Sequence, residues 1–280
     1  MLAEARGVIV NKQRGFTLVE LLIVIAIIAI LMAIMIPALQ AIKEQGKRAV
    51  CIMNMEQLTF AWILYANDNE DSIVCGDTGE YDTYNPYGNN YHRGEIPWVL
   101  KDWHSNATQA EKRDAILNGA MYEYSKNIEL YKCPTGMPGE LRTYAIVDAM
   151  NCKDWLSRGD MPGSVMIKKR MKIRGAQHRF VFLDDGGAGG AHLGGWTCFV
   201  KKDEWWDPPP VRHSGGTNFS FADGHGEFWK WEDQRTVKYG RWALANNDAF
   251  SSSSPYPDQS NNPDLYNCEL ACWGPAAARP

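Results

Sequence analysis

The longest apolar run lies near the N-terminus, where sixteen consecutive apolar residues follow Glu20. Residues 16–38 read "FTLVELLIVIAIIAILMAIMIPA", which as a helix extends about 35 Å, enough for a bilayer core about 30 Å thick. This pattern predicts a membrane-spanning helix, and a cleavable secretory signal peptide is an alternative. A plain membrane anchor fits the length but leaves Glu20 unexplained. A carboxylate inside such a run costs on the order of 3 kcal/mol on insertion scales, so Glu20 indicates a function.

The apolar pattern continues beyond Pro37 with a helical period. Apolar side chains recur at threes and fours, at Ile42, Ala49, Ile52, Met53, Leu58, Ala61, Leu64 and Tyr65. Because a proline can kink or loosen a helix without ending it, we predict one continuous helix. Its second half, residues 39–68, is predicted to be amphipathic.

Residues 69–245 mix loop-rich segments, short helices and strand-like runs, which predicts a globular head. The run "ATQAEKRDAILNGAMYEYSKN" predicts one or two short helices, with Asn118-Gly119 as the place of a break, and "RTYAIVDAM", "RFVFLDD" and "WTCFVKK" predict strands. Residues 246–280 are rich in Ser, Pro and Asn, and we predict a loosely ordered tail. The fold class expected from this order is α+β, with the long helix packed on an antiparallel sheet that carries large loops.

The clearest hairpin signal is "NFSFADGHGEFW", where Asp223-Gly224 separates two alternating runs. A two-residue type I′ turn at this position is the expected connection. That turn would place Phe219 directly opposite Phe228 on the neighbouring strand.

Composition narrows the classes of function. The net charge of −4 and the absence of a basic stripe argue against binding to nucleic acid. Apolar residues make up 45% and charged residues 22%, as in an ordinary folded protein. Eleven Trp and twelve Tyr favour a β-rich head, in which these rings pack in the core or, alternatively, bind polysaccharide or a secreted cargo.

Candidate chemistry in the head is sparse. The chain contains no GxSxG, HExxH or Cys-x-x-Cys motif, so the sequence indicates no enzyme and no cofactor beyond a calcium ion. Asp184 and Asp185, in the glycine-rich "FLDDGGAGGAHLGG", are calcium candidates, against an ordinary loop with exposed acids. His213, Asp223 and His225 are acceptable metal ligands, but an aspartate in a hairpin turn usually serves the turn itself.

The segment around Gly15 resembles the processing signature of type IV prepilins and type II secretion pseudopilins. A basic leader, residues 1–15, ends at Gly15 and is followed by "FTLVE" and the apolar helix, with Pro37 where that family commonly has a proline. The resemblance implies that prepilin peptidase, a membrane aspartic protease, cleaves after Gly15 and that Phe16 is N-methylated. It also implies that Glu20 neutralises the Phe16 amine of a neighbouring subunit; pairing of Glu20 within its own chain is the alternative.

The same resemblance implies a non-enzymatic subunit of a type IV pilus or type II secretion filament, with a pilin-like ladle fold. Such a subunit assembles with itself and other pilin-like subunits by helix bundling, through an inner-membrane platform and a cytoplasmic ATPase. It would be a single-pass bacterial inner-membrane protein with a cytoplasmic N-terminus and a head in the periplasm or in an extracellular filament. Basic residues on the two sides of the helix are balanced, so charge counting does not decide this orientation. The alternative function is a membrane-anchored binding module with an aromatic-rich head.

A second resemblance concerns the head. His213, nine intervening residues and Asp223-Gly224 match the H-x9-DG motif of a prepilin-like family abundant in Planctomycetes and Lentisphaerae, as do "CIMNMEQLTFAWILYANDNED", "YKCP" and "TYAIVDAMN". Seven cysteines are present, and an extracytoplasmic head permits disulfides. Cys51 and Cys133 are the preferred disulfide pair because both belong to these recurring family segments.

Overall fold

The computed structural model describes residues 16–79, 94–101, 107–152, 166–185, 195–246, 255–256 and 258–278. It divides into two units, Met1–Gln45 and Gly46–Pro280, with the boundary inside the first helix. The first unit is described by its helical part, and the second unit contains the head.

Helix α1 spans Leu18–Asp68 and continues through Pro37. Its 51 residues correspond to about 76 Å of helix. In the first unit its apolar side chains are exposed, from Leu18 to Ile42. The helix is long and apolar enough to cross a membrane. The prediction of one long apolar helix near the N-terminus is therefore confirmed.

The second half of α1 buries one face within the head unit. The buried residues are Cys51, Met55, Leu58, Thr59, Ala61, Trp62 and Ala66. Of the predicted apolar stripe, Leu58 and Ala61 are buried, whereas Met53 and Leu64 are half exposed, so the stripe coincides with the buried face only in part. Apolar residues surround this half of the helix on several sides, and the period alone does not determine which side the head covers.

The head contains a four-stranded antiparallel sheet in the order β3-β4-β5-β6. A separate parallel pair, β1-β2, precedes it in the chain. The strands are β1 Cys75–Gly79, β2 Pro97–Leu100, β3 Tyr144–Ile146, β4 Phe180–Asp184, β5 Gly216–Phe221 and β6 Gly226–Lys230. The long helix and the antiparallel sheet confirm the predicted α+β class. The predicted strand "WTCFVKK" is wrong, because Trp196 makes an isolated bridge to Val147 and lies in no strand.

The hairpin between β5 and β6 exists, but its predicted register is wrong by one residue. Phe219 pairs with Glu227, and the Phe221 N–H donates to the His225 carbonyl at 2.9 Å. The connection therefore consists of the three residues 222–224. Its last residue, Gly224, has a φ of +105°, and a glycine with positive φ is typical of a three-residue hairpin loop. An Asp-Gly pair fits both loop lengths, so it does not distinguish between them.

Strand β5 is buried on both faces, whereas β6 is partly exposed. On the side of α1, the hydroxyls of Ser220 and Thr59 lie 2.7 Å apart, and the Gly226 N–H donates to Glu56 at 2.9 Å. On the other side, the rings of Phe180 and Phe219 stack with centroids 3.8 Å apart. Every residue of β5 is consequently buried, although the strand alternates polar and aromatic side chains.

The described part of the head also contains four shorter α-helices: α2 Gln109–Leu117, α3 Tyr122–Ser125, α4 Gln234–Asn246 and α5 Pro263–Trp273. The interval between α2 and α3 contains the predicted break at Asn118-Gly119. Thr108 caps α2 through a reciprocal capping box with Glu111, in which each side chain bonds the other residue's backbone N–H.

The prediction of a loosely ordered tail is wrong for residues 258–278. Helix α5 lies there, and Leu265, Cys268 and Trp273 are buried. Arg179 donates to the carbonyls of Ala271 and Cys272, at 3.2 and 2.7 Å, near the end of the helix. The polar residues before α5 led to the prediction of a loosely ordered tail, although α5 itself contains apolar side chains that pack in the core.

Candidate functional site

The segment after the predicted cleavage position begins with an exposed Phe16, whose side chain is 70% accessible, whereas Gly15 lies outside the described residues. Thr17 precedes the first turn of α1, and Glu20 lies in that turn. The Glu20 carboxylate accepts from the Thr17 N–H at 2.9 Å and from its hydroxyl at 2.8 Å. The Glu20 N–H donates to the Thr17 hydroxyl at 3.2 Å.

These contacts form a capping box, which satisfies N–H groups that have no partner inside the helix. The sequence analysis missed it, although Thr-x-x-Glu before an apolar run is its signature. Glu20 thus has a partner within its own chain. Pairing with a neighbouring subunit's amine stays a prediction.

In the head, four metal-ligating side chains converge: Cys51, Cys133, Asp184 and His213, here called the Cys–His–Asp cluster. One ligand atom from each lies within 4.8 Å of the other three, and all four side chains are fully buried. Cys51 lies on α1, Asp184 ends β4, and His213 precedes β5. Cys133 follows a 3-10 turn at Ile128–Tyr131.

The shortest distances in the cluster are centred on His213. Its Nε2 lies 3.2 Å from Cys133 Sγ and 3.3 Å from Asp184 Oδ2. Cys51 Sγ lies 3.9 Å from the same Asp184 oxygen. The sequence analysis named all four residues, but it did not bring them together, because 133 positions separate Cys51 from Asp184.

The cluster perturbs the pKa values of its members. A hydrogen bond with Cys51 and another with His213 lower the pKa of Cys133 to about 7 against the effect of burial. Burial lowers the pKa of His213, but hydrogen bonds to Asp184 and Cys133 outweigh it and raise that pKa to about 10. Burial raises the pKa of Cys51. The arrangement therefore favours an anionic Cys133 beside a cationic His213 when no other cation is bound.

Asp184 and Asp185 are buried at the end of β4 and are not exposed loop acids. Asp184 Oδ1 lies 3.8 Å from Arg212 Nε, and Arg212 also makes a two-pronged contact with Glu140 at 3.2 Å. Calcium binding at Asp184 and Asp185 stays a prediction.

The cysteines of the head are free thiols in the structure. Cys51 and Cys133 nevertheless lie within 4.8 Å of each other through their sulfur atoms, so the predicted pair is brought together. The Cys51–Cys133 disulfide stays a prediction. Farther along the chain, Cys272 hydrogen-bonds to Cys198.

The other residues of the H-x9-DG motif lie apart from the cluster, on the β5–β6 turn. Asp223 Oδ1 lies 2.6 Å from His225 Nδ1 and accepts the His225 N–H at 3.3 Å, so this aspartate serves the turn. Partial burial raises the pKa of Asp223, but the bonds from His225 outweigh it and lower the pKa below its usual value. A Cβ at Gly224 would lie 3.3 Å from Phe60, so the turn packs closely on α1.

Six of the nine described tryptophans are buried in the head, and Trp206, Trp229 and Trp242 are half-buried. Trp103 and Trp155 lie outside the described residues, and no tryptophan within the described ranges is exposed. Those that are buried are Trp62, Trp98, Trp196, Trp205, Trp231 and Trp273. Core packing accounts for these rings, and the described residues present no exposed tryptophan row for a polysaccharide or cargo.

Comparison with known proteins first identifies the class of the N-terminal segment. Residues 10–36 match the family model described as the prokaryotic N-terminal methylation motif. This match contains Gly15, Phe16 and Glu20 and covers the apolar first half of α1.

Individual relatives come from secretion and fimbrial systems. The chain is 37% identical over 59 residues to type II secretion system core protein G of Escherichia coli K12, covering 21% of this chain and 41% of the relative. It is 29% identical over 93 residues to type II secretion system core protein G of Klebsiella pneumoniae, covering 30% of this chain and 63% of the relative. It is 44% identical over 81 residues to fimbrial protein Q of Moraxella bovis, covering 25% of this chain and 52% of the relative. The chain spans about half the length of these relatives, and no solved structure matches it.

Proposed function

We propose that this protein is a pilin-like filament subunit, a prepilin or pseudopilin that is cleaved after Gly15, N-methylated at Phe16 and assembled through α1. The observation that carries the proposal is the methylation motif over residues 10–36, which coincides with the apolar, exposed first half of α1. The secretion and fimbrial relatives support the same class.

Assembly follows from the exposed apolar surface of α1. The side chains of residues such as Ile25, Ile30 and Met35 are about half exposed or more in the single chain, and they need an apolar environment. A bilayer supplies that environment before assembly, and the α1 helices of neighbouring subunits supply it in the filament. Glu20 would meet the Phe16 amine of a neighbour, because a buried charge is stabilised by an opposite charge nearby.

The proposed partners and location follow from this role. Prepilin peptidase would process the chain, and other pilin-like subunits, an inner-membrane platform and a cytoplasmic ATPase would assemble it without catalysis by the subunit itself. The protein would cross the bacterial inner membrane once, with residues 1–15 in the cytoplasm and the head in the periplasm or in an extracellular filament.

The test is intact-mass and N-terminal peptide mass spectrometry on protein from native membranes, beside a Gly15→Ala variant. We expect a wild-type chain that begins at Phe16 with one added methyl group, and an uncleaved variant. Gly46→Ala, a glycine substitution on α1 with no atom within 4 Å of the new Cβ, is the matched control and should be processed normally.

Two results would contradict the proposal. A wild-type chain that still begins near Met1 would reduce residues 16–38 to an ordinary anchor. A chain cut beyond Ala38 would make the same segment a signal peptide, and the head alone would then carry the function.

A further inference from the structure

The Cys–His–Asp cluster combines four metal-ligating groups in a buried place, and the pilin-like role gives it no task. Its two thiols, one imidazole and one carboxylate come from segments far apart in the chain. Buried polar groups of this kind are costly unless they are paired or hold a metal. The cluster therefore calls for a chemical explanation of its own.

The geometry matches a tetrahedral cation. Zinc binds Cys sulfur at about 2.3 Å, His nitrogen at about 2.0–2.1 Å and carboxylate oxygen at about 2.0–2.2 Å, which places neighbouring ligand atoms about 3.4–3.8 Å apart. The separations in the cluster are 3.2 Å for Cys133 to His213, 3.3 Å for His213 to Asp184 and 3.9 Å for Cys51 to Asp184. The other three separations are each no more than 4.8 Å, so metal binding would draw the four ligand atoms together by up to about 1 Å.

The charges of the ligand set also suit a divalent cation. When a metal ion takes the place of the Cys51 and His213 protons, two thiolates and one carboxylate carry three negative charges, and Arg212, which contacts Asp184, is shared with Glu140. A divalent ion would neutralise two of these charges at the place where the ligand atoms converge. Thiolate ligands suit zinc and are unsuited to calcium, which prefers oxygen.

Surrounding groups already direct hydrogen bonds at both sulfur atoms. The Tyr144 hydroxyl donates to Cys51 Sγ at 3.4 Å, and the Thr135 N–H donates to Cys133 Sγ at 3.4 Å. The Thr135 hydroxyl also lies 2.9 Å from Cys133 Sγ. Such outer contacts orient metal ligands and stabilise their charged form.

We propose that Cys51, Cys133, Asp184 and His213 bind a structural zinc ion that fastens α1 to the sheet. Four protein ligands with fully buried side chains leave no open coordination position, as in structural rather than catalytic zinc sites. His213, the histidine of the H-x9-DG motif, is then a metal ligand, whereas Asp223 and Gly224 of the same motif form the hairpin turn. This inference is independent of the proposed filament role.

The first experiment measures metal content of the full-length chain purified in detergent under anaerobic, reducing conditions. Inductively coupled plasma mass spectrometry should find about one zinc per chain. Cys133→Ser, Asp184→Asn and His213→Gln should each reduce zinc to below a tenth of that amount. Cys268→Ser, a substitution of an equally buried cysteine on α5 outside the cluster, should retain it.

A second experiment uses wild-type protein alone, so it does not depend on whether the variants fold. Metal-stripped, reduced protein titrated with Co²⁺ should develop thiolate-to-cobalt charge-transfer absorption and the intense visible bands of tetrahedral cobalt, saturating at one equivalent. Added Zn²⁺ should abolish both signals.

Three outcomes would overturn the proposal. Reduced wild-type protein could contain no stoichiometric zinc and develop no tetrahedral cobalt spectrum. Zinc could persist in both His213→Gln and Cys133→Ser. Peptide mapping of protein from native membranes could find a Cys51–Cys133 disulfide, in which case the cysteines form the predicted crosslink and no zinc ligand pair.

Discussion

Gly226 sets the distance between the hairpin and α1. A Cβ at this position would lie 2.6 Å from the Ile52 side chain and 3.0 Å from that of Glu56. The Gly226 N–H also donates to Glu56 Oε1 at 2.9 Å, so the backbones must approach closely for this bond to form. A glycine in a strand often marks such a close approach.

Replacing Gly226 with alanine should destabilise the head by about 1–3 kcal/mol, because the added methyl group is forced against α1. The measurement is chemical unfolding of the full-length protein in detergent, followed by tryptophan fluorescence. Gly46→Ala serves as the control, since no atom lies within 4 Å of its new Cβ and alanine favours a helix by about 1 kcal/mol over glycine. Equal losses for the two variants would contradict the packing explanation.

Glu20 has two candidate roles that a pair of substitutions separates. Thr17→Val removes the hydroxyl that accepts the residue-20 N–H and keeps the carboxylate, whereas Glu20→Ala removes the carboxylate and its charge and keeps that hydroxyl. We expect Thr17→Val to assemble into filaments within about twofold of wild type, because loss of a cap costs only about 1 kcal/mol.

Glu20→Ala should be cleaved after Gly15 but fail to enter filaments, because the neighbour's amine would be buried without its counter-charge. Quantitative immunoblotting of sheared filaments against membrane fractions measures both variants. If the two variants lose assembly equally, Glu20 acts through the cap alone.

At the scale of elements, α5 is held at both ends by polar side chains of the head. The Asn262 side chain accepts the N–H groups of Asp264 and Leu265 at the start of the helix and donates to the Thr236 hydroxyl at 2.8 Å. Arg179 bonds the last carbonyls of the helix. These contacts explain why a segment of low hydrophobicity is ordered in this fold.

Asn262→Ala should destabilise the head by about 2 kcal/mol, at the upper end for a helix cap, since Asn262 is buried and Thr236 also loses a partner. Asn118→Ala is the matched control: Asn118 ends α2 on the surface, where its side chain bonds the Asp114 carbonyl, and the expected change is within about 0.5 kcal/mol. Thermal unfolding followed by circular dichroism compares the two. A loss at Asn262 no larger than the control's would contradict a structural role for this cap.

At the scale of the whole head, the Cys–His–Asp cluster joins α1, β4 and the segments around Cys133 and His213. A ligand that binds the folded state adds about 2.7 kcal/mol of stability when its free concentration is one hundred times its Kd. Removing zinc with a strong chelator under reducing conditions should therefore lower the Tm of the wild-type head, and added zinc should restore it. His213→Gln should melt at the same temperature with and without chelator. A chelator effect of equal size in this variant would assign the loss to another site.

Short-range patterns made the fold class and the N-terminal methylation motif predictable from the sequence. The apolar run after Glu20 is unbroken, so it predicts a long helix without reference to the rest of the chain. The break between α2 and α3 and the existence of the β5–β6 hairpin likewise depend on neighbouring residues. Each of these predictions depends on interactions between residues that are only a few positions apart in the chain.

The sequence by itself therefore determined the long apolar helix, its methylation motif and the α+β class of the fold. The tertiary structure decided which face of α1 is buried, the one-residue register of the hairpin, the order of α5, and the meeting of Cys51 and Cys133 with Asp184 and His213. These features depend on contacts between residues far apart in the chain, whose free energy exists only once the core has formed. Periodicity and local propensity carry no information about which distant surface will cover a given side chain.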